Sequence, residues 1–218
     1  MIGIIDLGEG MRGIYTSGIY DYLLDKNIKI DYCIGVSAGS ANLITYIAGQ
    51  KGRARRFCCD YSYDKMYMGL SSLLKTGSLL NLDYIYSDIS NKGGKDPLDY
   101  DKIMESECIF AAVSTDAATG EPKYFEKNDL RNNDYYVLKA ACALPFACRP
   151  VSVNGRKYFD GVISDPIPYK KAFADGCDKV ILCITKPVDY TKNRLPSLAK
   201  LLLNQYPETA KKAFENAR

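Results

Sequence analysis

The residues best suited to chemistry lie in Gly35-Val36-Ser37-Ala38-Gly39, a G-x-S-x-G sequence. It follows an apolar run at 30–36 and precedes a helical pattern, AGSANLITYIAG. At such a tight turn a serine is held with its hydroxyl exposed. Glycines two residues either side remove clashes with neighbouring backbone. The next helix points its N-terminus at the hydroxyl and favours developing negative charge. Three fixed positions recur by chance in about one chain in fourteen of this length, so the pentapeptide needs support. A nucleophilic serine also needs a base, usually a histidine. The sequence has no histidine, which excludes a self-contained Ser-His-Asp triad. Either Ser37 is inert or a carboxylate or lysine takes its proton directly.

Gly8-Glu9-Gly10-Met11-Arg12-Gly13 is a G-x-G-x-x-G loop. One reading is a dinucleotide fingerprint, which needs an acid at the end of the second strand. Asp31 has roughly the right separation but lies at that strand's start. The other reading is an oxyanion hole. Adjacent parallel strands would bring the loop beside Ser37, with backbone N–H groups near Gly10 and Met11 facing a tetrahedral oxygen. Arg12 would brace the loop or attract an anionic substrate. Two Asp-Gly pairs are candidates for the base. Asp175-Gly176 ends an amphipathic helix, where glycine is an ordinary stop. Asp160-Gly161 leaves a strand, and prolines fix the helix after it, so Asp160 is the better placed to reach a serine.

The elements that would position these groups alternate. Residues 2–6 form a strand and the segment from Ile14 a helix. Residues 30–36 and the helix after Ser37 repeat that unit, which predicts an α/β fold with a largely parallel sheet. Residues 57–90 are rich in Tyr, Met and Leu. They read as a helical pair over the core or as part of an apolar substrate wall. Strands are expected at 108–114 and KYFE (123–126), with a hairpin at 151–159 turning at Asn154-Gly155. Helices are expected at 134–143 and 167–175, a buried strand at 179–185, and a helix from Pro196 to Arg218. That last helix ends without a cap, so continuation into a longer natural chain is expected.

With 218 residues, 47% hydrophobic and 25% charged, the chain suits one globular domain. A net charge of +3, from 29 basic and 26 acidic residues, excludes a strongly basic nucleic-acid binder. No run of about 18 apolar residues predicts a membrane span, and the N-terminus lacks the pattern of a secretory signal. The eight cysteines form no C-x-x-C pair. They read as reduced thiols in a cytoplasmic protein, several of them buried.

Taken together, the motifs resemble the patatin-like phospholipases. Gly8 to Gly13 resembles the family's glycine-rich oxyanion motif, Gly35 to Gly39 its nucleophile elbow, and Asp160-Gly161 its Asp-Gly-Gly or Asp-Gly-Ala motif. ATGEPKYF (118–125) and ALPFACRPV (143–151) also resemble family segments. The resemblance implies a three-layer α/β/α domain over residues 1–186, followed by a helical segment at 187–218. It further implies a Ser37–Asp160 dyad that cleaves lipid acyl esters through an acyl-serine, with no metal or cofactor and with transient membrane-surface contact. Two positions depart from the pattern. Glu9 replaces a usual glycine and brings a carboxylate towards the oxyanion loop. Val162 replaces the third Gly or Ala and would narrow the site. Three rival readings remain at this level: a general carboxylesterase of the same fold, a dinucleotide-binding oxidoreductase, and a non-catalytic lipid-binding protein.

Overall fold

The computed structural model describes residues 1–187 and 204–215. Four short apolar segments form the parallel part of a seven-stranded sheet: β1 (Ile2–Asp6), β2 (Tyr32–Val36), β3 (Ile109–Asp116) and β7 (Lys179–Cys183). They lie in the order β3-β2-β1-β7, and every neighbouring pair is parallel. β2 is buried along its whole length, as expected of a central parallel strand covered on both faces. Three antiparallel strands extend the sheet beyond β3. These are β4 (Pro122–Glu126), β5 (Val151–Val153) and β6 (Arg156–Asp160). The β5–β6 hairpin turns at Asn154 and Gly155, both at positive φ, as an Asn-Gly turn requires.

Helices cover both faces. On one, α1 (Ile14–Asp25), α2 (Ala38–Ile47), α3 (Arg53–Cys59) and α6 (Tyr136–Ala141) contribute to the large core around Ile4, Cys33, Leu43 and Phe110. On the other, α7 (Tyr169–Ala174) packs Ala172 against Ile5, Ile34 and Val113. Residues 57–90 are helical in pieces. They include the end of α3, α4 (Leu70–Thr76) and a π-helical turn at Tyr84–Ile89. A short α5 (Tyr100–Glu105), N-capped by the Asp99 side chain, leads into β3.

The strand expected at 179–185 is present, but it is not buried. β7 sits at the sheet edge, and Ile181, Leu182 and Ile184 are exposed. Its apolar composition suited a central strand, but among the described residues it pairs with β1 alone. Most of the helix expected from Pro196 lies outside the described residues. Its described part, α8 (Pro207–Glu215), packs Ala213 against Phe159 and Ile163.

Candidate active site

Ser37 lies between β2 and α2, at φ 54° and ψ −134°. A positive φ is rare for a residue with a Cβ and carries strain, here at a buried side chain that is 8% exposed. Gly35 and Gly39 permit the bend. A Cβ on Gly35 would collide with the Ser40 backbone, and one on Gly39 with the carbonyl and carboxyl of Asp6.

The sheet register brings Asp160 to the serine. β3 pairs with β2 until Val113 meets Val36, where β2 turns away into Ser37. The next β3 residue, Ser114, pairs with Asp160 of β6. β4 occupies the opposite edge of β3, so β6 takes up the edge that β2 leaves. Asp160 therefore follows Ser37 across one strand end. Gly161 then opens a 3-10 turn, Gly161–Ile163.

Asp160 is fully buried. Its Oδ1 accepts a hydrogen bond from the Val162 N–H at 2.9 Å. Its Oδ2 has no hydrogen-bond partner. Burial pushes the carboxyl up to about 7, and the Val162 N–H and the Ser37 hydroxyl temper the rise. A full hydrogen bond between Ser37 and Asp160 does not close in this structure. Such contacts commonly tighten only around a substrate.

The glycine loop lies against the same turn. Gly8, Glu9 and Gly10 are all at positive φ, and Gly10–Gly13 forms a 3-10 turn. Gly10 and Met11 line one cavity with Ser37. As the first residues of the turn, they have N–H groups without partners inside it. Arg12 is exposed and lies 3.9 Å from Glu9, so it braces the loop. Glu9 does not face the cavity's acyl side. Thr185 donates to it at 2.6 Å, and Lys186 pairs with it. Val162 packs into the apolar clusters around Val113 and Phe159. It does not narrow the cavity, because only its N–H turns towards Asp160.

The cavity holds about 440 Å³ and is mainly apolar. Its walls include Phe57, Tyr67, Leu79, Leu80, Ile85 and Tyr86, all from the 57–90 segment. A larger hollow of about 680 Å³ lies at the opposite end of the strands and contains Asp31. Asp31 accepts from the Ile2 N–H at 2.7 Å. It is thus at the wrong end of the sheet to hold a ribose beside the glycine loop, which removes the support for a dinucleotide site. Asp175 caps α7 while accepting from the Tyr32 hydroxyl at 2.8 Å, so it serves the fold.

Sequence reasoning passed over two buried polar groups here. Asp6, at the end of β1, accepts from the Gly8 N–H and the Tyr20 hydroxyl, each at 2.8 Å. Burial raises its pKa. Asn42 of α2 donates to the Gly13 carbonyl at 3.0 Å. Together they tie the glycine loop to β1 and α2. An aspartate closing an apolar strand was the visible signal for Asp6, whereas Asn42 had none.

The family model for patatin-like phospholipases matches residues 8–173, from the first glycine of the loop to α7. The chain belongs to the patatin-like phospholipase family. The patatin-like match contains the loop, the elbow and the Asp160-Gly161 turn. Among curated proteins, the uncharacterized protein YjjU of Escherichia coli K12 is 29% identical over 191 residues, covering 85% of this chain and 52% of YjjU. The chain thus spans about half the length of that relative. Among solved structures, VipD from Legionella pneumophila matches 75% of this chain and 46% of its own. That match has 14% identity and a TM-score of 0.49.

Proposed function

We propose that this patatin-like domain hydrolyses fatty acyl esters of lipids through a Ser37–Asp160 dyad. The observation that carries the reading is the Asp160 carboxyl. It is buried beside Ser37, has one oxygen without a partner and is raised to about 7. An ordinary aspartate near 3.9 is a poor base at neutral pH. A base poised near 7 combines a large deprotonated fraction with useful proton affinity.

In the proposed reaction Asp160 accepts the Ser37 proton as Oγ attacks the ester carbonyl. N–H groups of Gly10 and Met11 stabilise the oxyanion. Such donors are typically worth about 3–4 kcal/mol each in the transition state. The alcohol or lysolipid leaves with the proton, and the acyl chain stays on Ser37 along the apolar cavity. Water, deprotonated by Asp160, then attacks the acyl carbonyl, and the fatty acid leaves as Ser37 Oγ takes the proton back from Asp160. The catalytic unit in this reading is residues 1–186.

Fluorophosphonate labelling and a panel of phospholipids, lysolipids and p-nitrophenyl esters test the proposal. The wild type should be labelled at Ser37 and turn over acyl esters. Ser37→Ala and Asp160→Asn should each lower kcat by at least about 10³-fold. Turnover retained in either folded variant would refute the dyad. Lipid binding without turnover across the panel would favour the non-catalytic lipid-binding reading.

A further inference from the structure

The cavity that begins at Ser37 runs along one face of α2. Ala38, Ala41, Asn42 and Thr45 line it, at the spacing of a single helical stripe. A charge stands at the far end. Arg53, the first residue of α3, lines the same cavity and is 4% exposed. Its Nη1 donates to Thr45 Oγ1 at 3.2 Å. That places the guanidinium a little over two turns along α2 from Ser37, about 12 Å away.

The charge is poorly compensated. Asp96 is the nearby carboxylate, but its oxygens accept from Arg56 at 2.6 and 3.1 Å and from the Tyr61 hydroxyl at 3.2 Å. Arg53 comes no closer than 3.6 Å to that carboxylate. Its own hydrogen bonds go to neutral oxygens: the Asp96 carbonyl at 3.2 and 3.0 Å, Ser90 Oγ at 2.9 Å, and Thr45. A guanidinium has five N–H donors. Among the described residues, the second N–H of Nη1 meets no acceptor. Two arginines share one carboxylate, and Phe57 lies under the Arg53 guanidinium at 4.3 Å. A dry cation lacking its own anion is expensive to keep in an apolar wall. The remaining Nη1 N–H can give one carboxylate oxygen a charge-assisted hydrogen bond.

We infer that the cavity takes acyl chains ending in a second carboxylate, with Arg53 reading the far end while Ser37 attacks the near one. This rests on the acyl-ester reading above. About 3 Å of that distance is taken by the carboxylate–guanidinium hydrogen bond, and an extended chain advances about 1.2 Å per bond, so about seven bonds, from Ser37 Oγ to the carboxylate oxygen, cover the rest. The preferred acyl group is therefore that of an α,ω-dicarboxylic acid of roughly seven carbons. At about 30 Å³ per heavy atom, taking the volume of a liquid water as the unit, such a group fits the 440 Å³ available.

The test compares mono-p-nitrophenyl esters of dicarboxylic acids with plain p-nitrophenyl esters of equal length, from about four to about fourteen carbons. The readout is the ratio of their kcat/KM values. It should lie below one for short chains, rise to about ten or more near seven carbons, and fall beyond. Arg53→Gln should flatten the maximum. Ser90→Asp, which sets a carboxylate against Nη2, should flatten it too. A ratio below one at every length would overturn the inference, as would a maximum that persists in folded Arg53→Gln. The wild-type series decides by itself if that variant does not fold. Plain esters left uncleaved, with Ser37 unlabelled, would remove the acyl-ester reading. Plain esters cleaved without any ω-carboxylate preference would remove this inference alone.

Discussion

Asp160 couples activity and stability in opposite senses. In the proposed dyad the deprotonated form is the base, so kcat/KM should rise through a pH of about 7 and level off above it. Initial rates on a neutral ester from pH 5 to 9 check this, and a profile flat across pH 7 would contradict it. The stability sign is reversed. The folded pKa lies above the ordinary aspartate value of about 3.9, so this group's contribution is fully present below about 3.9 and is lost as pH rises through about 7. Asparagine at 160 carries no such slope. Between pH 5 and 8 the stability of Asp160→Asn relative to wild type should therefore improve by about 2–3 kcal/mol. Urea melts at the two pH values measure it. The protein should be best folded where it is least active.

At the scale of elements, the site depends on how β1, the glycine loop and α2 hold one another. Gly39 sits where any Cβ would strike Asp6. Gly39→Ala should cost about 3 kcal/mol or more, as a forced backbone shift in a packed turn, read by thermal melting. Asp6 fixes the Gly8 N–H from below. Asp6→Asn keeps the shape but loses a charge-assisted acceptor. It should lower kcat about ten- to a hundredfold with little change in KM, because it acts on oxyanion donors and not on the acyl cavity. An equal loss in KM would place Asp6 elsewhere in the mechanism. These ties also mark where sequence reading stopped. Ser37, Asp160 and the loop were legible because each carries local turn chemistry. Arg53 was not, since its hydrogen bonds to the Asp96 backbone carbonyl span 43 positions and leave no local pattern. β7 misled for a related reason: apolar composition reports a strand but not how many neighbours it has.

Across the whole molecule, a register step in one sheet assembles the site, and the last described helix supports it from behind. Tyr206 meets Phe159 edge-on at 5.2 Å, and Thr209 donates to the Ala117 carbonyl at 2.8 Å. Phe159 directly precedes Asp160. Tyr206→Ala should cost about 2–3 kcal/mol of stability by removing a packed aromatic contact, measured by denaturant titration. A loss below about 0.5 kcal/mol would mean that this helix is not part of the folding unit. Six of the eight cysteines are buried, where thiols serve as small packing groups. Among the described residues no helix is long and apolar enough to cross a membrane. That the sheet would be largely parallel followed from the repeated strand–helix pattern. That β6 would complete the edge vacated by β2 is a property of three-dimensional pairing, which a linear motif does not contain.

The backbone at Ser37, at φ 54°, has a consequence for how this protein can be improved or degraded by selection. Glycine there would relax the bend, a conformation that costs of order 1–3 kcal/mol for residues with a side chain. A laboratory lineage screened for heat tolerance alone would thus be rewarded for discarding the proposed nucleophile. Retention of serine at this one position through such a screen would itself be a signature that turnover was being selected.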